Sequence, residues 1–375
     1  MKQYIYADNA ATTQLDPQAF EAMIPWLRDE YGNASQPYSF SRKPKKAIAE
    51  ARAVIAECIN AEPEEIYFTS GGTESDNWVV KGSAFSDPNH RAMITSQIEH
   101  HAVLHSCAAI ERIGYPVAYL PADEDGRILP ETLDRYISDR TRLVSVMTAN
   151  NEIGTIQDIA RLADIAHAHG AMFHTDAVQA VCRIPIDVKA LDVDMLSASA
   201  HKFNGPRGIG FLYIRKGIKV RPFMDGGGQE NKNRAGTENT AAIVGMSIAL
   251  MNNIQNMRNT SDSIRALENL LITKLLEAGL VFKRNGVNTL PGLISLSFPH
   301  SSGEMLLHRM DLKGICISTG SACDGSNDEI SHVLQAIHLP DEYAKGTVRI
   351  SLGKQNTESD IIKIAESLKQ ILTPK

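Results

Sequence analysis

Lys202 sits in LSASAHKFNGPRGIGFLY, between a strand of small residues and a Gly/Pro loop that leads into another strand. A lysine wedged between core strands is costly to desolvate, and that same desolvation lowers its pKa and frees the amine for a Schiff base. Asp176 ends a second strand-like run, AMFHTDAVQA, with Gln179 three residues on. An acid buried there needs a cationic partner, and a protonated ring nitrogen would keep both groups ionised. In TSGGTESDN a strand pattern stops at Gly71 and Gly72, and a helix starts near Thr73. The free N–H groups and positive end of such a helix suit a phosphate, with the Thr73 hydroxyl as a further donor. Each segment also has a plainer reading: a snorkelling lysine, an N-cap aspartate, an ordinary helix cap. Together they make the parts list for pyridoxal 5'-phosphate, whose protonated pyridine acts as an electron sink. GGGQE and GPRGIG are rich in glycine, but neither follows a strand and opens a helix as a dinucleotide-binding GxGxxG does.

A fourth segment, STGSACDGSND at Ser318 to Asp328, places Cys323 among glycines, serines and acids. Free cysteine is usually buried, and Gly320 and Gly325 allow sharp turns, so a thiol here is unusual. The residues alone leave Cys323 open between a nucleophile and a small turn residue. The other cysteines fall in apolar, helix-like or strand-like stretches and read as packing residues. Five cysteines with no CxxC spacing argue against a disulfide framework and against a structural zinc site.

The elements that must position these groups alternate. From about residue 65 to 215, strands such as EIYFTS, RAMIT, YPVAYL, RLVSVMT and AMFHTDA are separated by helical patterns, which predicts βαβ units, an α/β fold and a parallel sheet covered on both faces. After the apolar segment near 240 to 253 the polar stretch NNIQNMRNTSDS reads as a break, followed by a long amphipathic helix and a mix of strands and helices. This predicts a large domain over 15–257 and a smaller α+β domain from 1–14 and 258–375. The 375 residues, 43% hydrophobic and 22% charged with a net charge of −6, describe an ordinary globular chain without the basic field that nucleic acid requires. With no signal-like N-terminus and no apolar run long enough to span a bilayer, the chain reads as soluble and cytoplasmic, with neither nucleic acid nor membrane as a partner.

From YADNAATT at Tyr6 through GNAS, TSGGTESDN, IEHHAV, NNEIGTIQD, HTDAVQ, SAHKFNGPRGIGFLY, GGGQE, RAGTEN, STGSAC and SHVL to VRISLG, the chain resembles the NifS/IscS-like cysteine desulfurases. These are class V, fold-type I pyridoxal-phosphate enzymes. The resemblance implies a large domain with a mostly parallel seven-stranded sheet between helices, and a smaller α+β domain carrying the cysteine loop. It implies that Lys202 bonds the cofactor, Asp176 pairs with the pyridine nitrogen, and Gln179 meets the ring hydroxyl. Gly72 and Thr73, with Ser199 and His201, would hold the phosphate; His100 would stack on the ring and move protons. Asn151 would lie near the ring hydroxyl and substrate, and Arg349 would fork onto the substrate carboxylate. Thr237, in RAGTEN, would reach the phosphate of a partner subunit's cofactor in a homodimer.

The activity implied is removal of sulfur from L-cysteine, giving L-alanine and a persulfide on Cys323. An acceptor protein, an iron–sulfur scaffold or a thiolation enzyme, would then take the sulfur. A selenocysteine lyase or another class V aminotransferase or lyase would keep the cofactor residues and dispense with the loop thiol. A scaffold with a degenerate site would lack turnover altogether. The eight residues from Cys323 to Ser331 match the longer-loop desulfurases. Asp324 and Gly325 depart from the serine or threonine usual after the cysteine, and a carboxylate beside the thiol raises its pKa from about 8.5. Tyr38 stands where relatives commonly carry histidine, and Ile330 where proline is common.

Overall fold

The computed structural model describes residues 4–86, 92–319 and 330–373. Its strands are β1 (Ile5–Tyr6), β2 (Ile66–Thr69), β3 (Ala92–Ser96), β4 (Val117–Leu120), β5 (Thr141–Ser145), β6 (Met172–Asp176), β7 (Met195–Ser199), β8 (Gly210–Ile214), β9 (Lys283–Asn285), β10 (Leu293–Ser297), β11 (Ile315–Cys316) and β12 (Thr347–Ser351). Its helices are α1 (Pro17–Arg28), α2 (Arg42–Cys58), α3 (Gly72–Ala84), α4 (His101–Glu111), α5 (Pro130–Tyr136), α6 (Ile159–Ala168), α7 (Thr240–Glu277), α8 (Gly303–Leu312), α9 (His332–Ala336), α10 (Asp341–Ala344) and α11 (Glu358–Leu372).

Strands β2 to β8 form one sheet in the order β2-β8-β7-β6-β5-β3-β4. Neighbours from β4 to β7 are parallel, whereas β8 runs antiparallel to both β7 and β2. This is the mostly parallel seven-stranded sheet that the sequence implied. Two reversals restore the direction, so β2 ends on the same edge as β3, β5, β6 and β7, where open α/β sheets bind ligands. β6, β7 and β8 are buried along their whole length, as strands covered on both faces must be. The cover is amphipathic: Ile159, Leu162, Ala163 and Ala166, spaced three and four apart, form the buried stripe of α6, and the Asp158 carboxylate caps that helix by accepting from the Arg161 N–H.

The polar stretch expected to break the chain near residue 253 instead forms the middle of α7, a single helix of 38 residues and about 57 Å. Asn239 caps its start by accepting from the Ala242 N–H at 3.1 Å, and no proline or glycine follows Gly245 within it. The polar residues therefore coat a helix that serves two cores. Ala242, Ile243, Met246, Ala249 and Leu250 join the core around the large sheet, whereas Ile264, Leu271 and Leu275 join a second core. The second core is built on the antiparallel sheet β12-β10-β9 with α8 and α11. Two strands there are shorter than the sequence suggests: LVFKR contributes only β9, and ICIST only β11, which pairs in parallel with β1.

Residues 7–13 cross from one core to the other. The Asn9 N–H donates to Ser351 O at 3.0 Å and the Ala10 N–H to Ser351 Oγ at 2.8 Å, after which the Thr13 N–H donates to His201 O at 3.0 Å. The crossing segment thus lies against both β12 and the turn after β7.

Gly210 opens β8 opposite Ser199 and Thr69. A Cβ added there would lie 2.4 Å from Ala198 O and 2.7 Å from Gly71 Cα, backbone atoms that cannot step aside. Gly210→Ala is expected to destabilise the protein by about 1–3 kcal/mol, seen as a lower denaturant midpoint at unchanged slope. An unchanged midpoint would show that the β8 backbone yields freely at this point.

Candidate active site

A cavity of about 340 Å³ opens at the carboxyl edge of the large sheet, lined by Gly72, Thr73, His100, Asn151, Asp176, Gln179, Ser199, His201, Lys202 and Arg349. These residues come from widely separated segments; nine were expected to hold the cofactor, and Arg349 to hold the substrate carboxylate. A larger groove of about 680 Å³ runs along α7, lined by amides such as Asn252, Asn256 and Asn259 and by the Asp16–Lys354 ion pair, and it holds none of the expected site residues.

At one end of the cavity β2 stops at Thr69, and the chain turns through Gly71, with φ of +149°, into α3. That conformation favours glycine. No side chain caps α3, and the first-turn amides of Gly72, Thr73 and Glu74 have no partner among the described residues, so they remain available to an anion. Glu74 turns away to accept from Arg234 Nε at 2.8 Å.

Asp176, 6% exposed, ends β6. Its Oδ1 accepts from the Val178 N–H at 2.8 Å, and its other oxygen has no hydrogen bond among the described residues. Burial pushes this acid up to about 6, against the Val178 N–H and the Lys202 charge, which pull it down. Lys202, three residues past the end of β7, donates from Nζ to Ala10 O at 2.7 Å and Ala11 O at 2.8 Å. Gln179 Nε2 donates to the same Ala10 carbonyl at 2.9 Å.

His100 is literally the N-cap of α4: its Nδ1 accepts from the Ala102 N–H at 3.1 Å, which leaves the ring proton on Nε2. Burial, then the charges of Lys202, His101 and His105, push it down to about 4. His201, beside Thr12 Oγ1 at 3.1 Å, is pushed down to about 4 by burial and then by Lys202 and Arg207. Both imidazoles are neutral near pH 7.

Arg349 comes from β12 and is 4% exposed. Its Nη1 donates to Asn151 O at 2.8 Å and its Nη2 to Asp8 Oδ1 at 3.0 Å, while its buried Nε has no partner. Backbone bonds between Arg349 and Ser318, at 2.7 and 3.0 Å, fix the strand that leads toward Cys323. Cys323 itself, with Asp324 and Gly325, lies outside the described residues. Thr237 is exposed, away from the cavity of its own chain. The described cysteines are free thiols and none lines the cavity; burial pushes Cys107 up to about 12. Among the described residues no group of three or more His, Cys, Asp or Glu is placed to hold a metal, and no helix is long and apolar enough to cross a membrane.

The donor set fits pyridoxal phosphate. The α3 amides and the hydroxyls of Thr73 and Ser199 suit a phosphate, and the open oxygen of Asp176 suits a ring nitrogen. Gln179 Oε1, buried with no partner, suits a ring hydroxyl, and the unpartnered Arg349 Nε suits a carboxylate. Residue-by-residue reading did not find the Ala10 and Ala11 carbonyls, or Asp8, Asp76 and Glu99. The acids had a signal: Asp76 falls on the inward stripe of α3 with Gly72, Ser75, Val79 and Val80. Main-chain acceptors have none, because any residue type supplies a carbonyl.

The Aminotransferase class-V family profile matches residues 5–364. A cysteine desulfurase IscS of Clostridium botulinum is 45% identical, covering 99% of this chain and 95% of its own. Among solved structures, a NifS-like protein superposes with a TM-score of 0.93 at 36% identity over 99% of both chains. SspA in complex with cysteine does so at 0.84 and 36%, over 94% of this chain and all of its own. By profile and by relatives spanning nearly its full length, the chain belongs to the class V aminotransferase family.

Proposed function

We infer that the protein is a pyridoxal-phosphate-dependent cysteine desulfurase that moves sulfur from L-cysteine to Cys323 and releases L-alanine. The observation that carries this reading is the meeting of Lys202, Asp176 and Arg349, from three distant segments, around one cavity. Relatives named cysteine desulfurase, and a relative solved with cysteine, support it.

When bound, pyridoxal phosphate supplies an electron-withdrawing ring that takes up the electron pair left as the substrate Cα gives up its proton. The chain's own residues do the rest. Arg349 orients the substrate carboxylate through its Nε–H and forked N–H groups, with Asp8 and the Asn151 carbonyl fixing the plane of the guanidinium. Lys202 Nζ, held at the Ala10 and Ala11 carbonyls, would bond the cofactor and serve as the base for the Cα proton. His100, with its proton on Nε2, would offer the bound ring a neutral donor. Asn151, which lines the cavity beside Arg349, would meet the substrate and the ring hydroxyl.

Cys323, as thiolate, attacks the substrate sulfur. An S–S bond forms, the Cβ–S bond breaks, and the carbon side takes up the proton that completes alanine. One cysteine and one enzyme thiol become one alanine and one persulfide, so no outside oxidant is needed. Ser318 is tied to Arg349, and Ser331, beyond the thiol, donates to Glu152 Oε2 at 2.6 Å. The described residues on either side of the segment that holds Cys323 are therefore tied to Arg349 and to Glu152, the neighbour of Asn151. An acceptor protein takes the sulfur onward, for iron–sulfur assembly or thiolation.

The working unit is a homodimer in which Thr237 reaches the partner's phosphate. In support, Thr237 is exposed, and so are Tyr31, Tyr38 and Phe40, with Tyr31 and Phe40 edge to face at 5.1 Å.

Two outcomes are expected. With L-cysteine and a reductant, the parent releases sulfide and alanine in equal amounts, whereas Cys323→Ala keeps its bound cofactor and loses sulfide release at least about 100-fold; equal sulfide from both would remove Cys323 from the mechanism. Arg349→Lys keeps the charge but loses the fork, and KM for cysteine rises about 10- to 100-fold with a smaller change in kcat. An unmoved KM would place the carboxylate elsewhere.

A further inference from the structure

Asp76 is the buried acid of the cavity that the reaction above does not use. It lies in the second turn of α3, 1% exposed, and lines the same cavity as Asp176. Its Oδ1 has no hydrogen-bond partner among the described residues. The nearest ring nitrogen is His174 Nε2, 3.8 Å away on β6. That imidazole is fully buried and engaged at both ends, Nδ1 with Ser145 Oγ at 2.8 Å and Nε2 with Ser197 Oγ at 3.0 Å. Burial pushes His174 down to about 3, so it is neutral.

Among the described residues, therefore, no cation balances Asp76. Its charged neighbours are acids: Asp176 on β6, and Glu99 in the turn after β3, itself buried with Ser96 Oγ at 2.5 Å and the Met147 N–H at 3.0 Å on one oxygen and nothing on the other. Burial first, then the Asp176 charge, push Asp76 far above the usual carboxylate range, with only the Ser197 hydroxyl favouring its anion. Two adjacent buried carboxyls cannot both ionise at reasonable cost, so one keeps its proton. Asp176 has the Val178 N–H and the Lys202 charge on its side, and Asp76 has neither.

We propose that Asp76 is a positioning residue for the cofactor, a neutral, proton-bearing acid behind Asp176 that leaves one negative charge, on Asp176, to meet the pyridine nitrogen. As a neutral acid it leaves Asp176 the one buried charge of the pair. This rests on the reading of Asp176 as the ring-nitrogen partner, and the test separates the two.

The experiment compares the parent with Asp76→Asn, Asp76→Ala and Asp176→Asn. Infrared difference spectra are recorded in the protonated-carboxyl region, and apo proteins are titrated with pyridoxal phosphate by fluorescence. Asp76→Asn should lose a protonated-carboxyl band present in the parent while binding the cofactor within about 2-fold of it, because an amide is neutral and nearly the same shape. Asp76→Ala should bind about 10- to 100-fold more weakly. If Asp76→Asn removes a carboxylate band instead, or binds as weakly as Asp76→Ala, the acid is charged and the proposal fails. Parent-like binding by Asp76→Ala would also overturn it, leaving Asp76 as mere filling. Asp76→Asn, nearly isosteric, keeps the test informative should the alanine variant not fold. Asp176→Asn should weaken binding by 10-fold or more; if it does not, the reading of Asp176 fails whatever the infrared result on Asp76.

Discussion

A carboxylate buried at the carboxyl end of β6 is the constraint on which the rest of the site depends. Asp176 is nearly inaccessible, and an acid so placed either takes up a proton or finds a positive partner. The chain gives it one backbone N–H and a lysine within electrostatic range, and leaves one oxygen open to the cavity. That arrangement is unfavourable for a protein alone and favourable for one that holds a protonated ring. The two further acids nearby, Asp76 and Glu99, deepen the demand, because burial raises both and neither has a cation beside it.

Sheet direction explains why the other groups can answer that demand. β2 is antiparallel to β8, which is antiparallel to β7, so the anion-binding turn at Gly71, the Ser199 hydroxyl and Asp176 share one edge. The N-terminal crossing segment closes the cavity from the side. Its Ala10 and Ala11 carbonyls receive Lys202 and Gln179, and Asp8, two residues earlier, receives Arg349. Lys202 from the large core and Arg349 from the second core are thus held by neighbouring residues of one turn, so the distance between amine and guanidinium depends on a few backbone bonds rather than on how two distant cores happen to pack.

Much of this was legible in the sequence. The alternation of apolar strands with helical patterns gave the α/β sheet, because period and burial are local properties. Asp176, Lys202 and the Gly71–Gly72 turn stood out because each puts a residue where a plain core would not, and the family resemblance supplied the rest of the cavity. What failed was contextual. The stretch from Asn252 to Ser263 reads as a linker by composition, yet it continues α7 because its apolar flanks are anchored in two cores. β11 is short because only two residues of ICIST meet β1. The Ala10 and Ala11 carbonyls carry no side-chain signature, whereas the spacing of Asp76 with Gly72, Ser75, Val79 and Val80 was a signal that the reading passed over.

The central claim, that Asp176 is an anion paired with a protonated pyridine, is tested most directly by nitrogen-15 NMR of the holoenzyme carrying ring-labelled pyridoxal phosphate. A shift characteristic of a protonated ring nitrogen, persisting through neutral pH in the parent and lost in Asp176→Asn, is the predicted result. An unprotonated nitrogen in the parent, or the same shift in both proteins, would contradict the account.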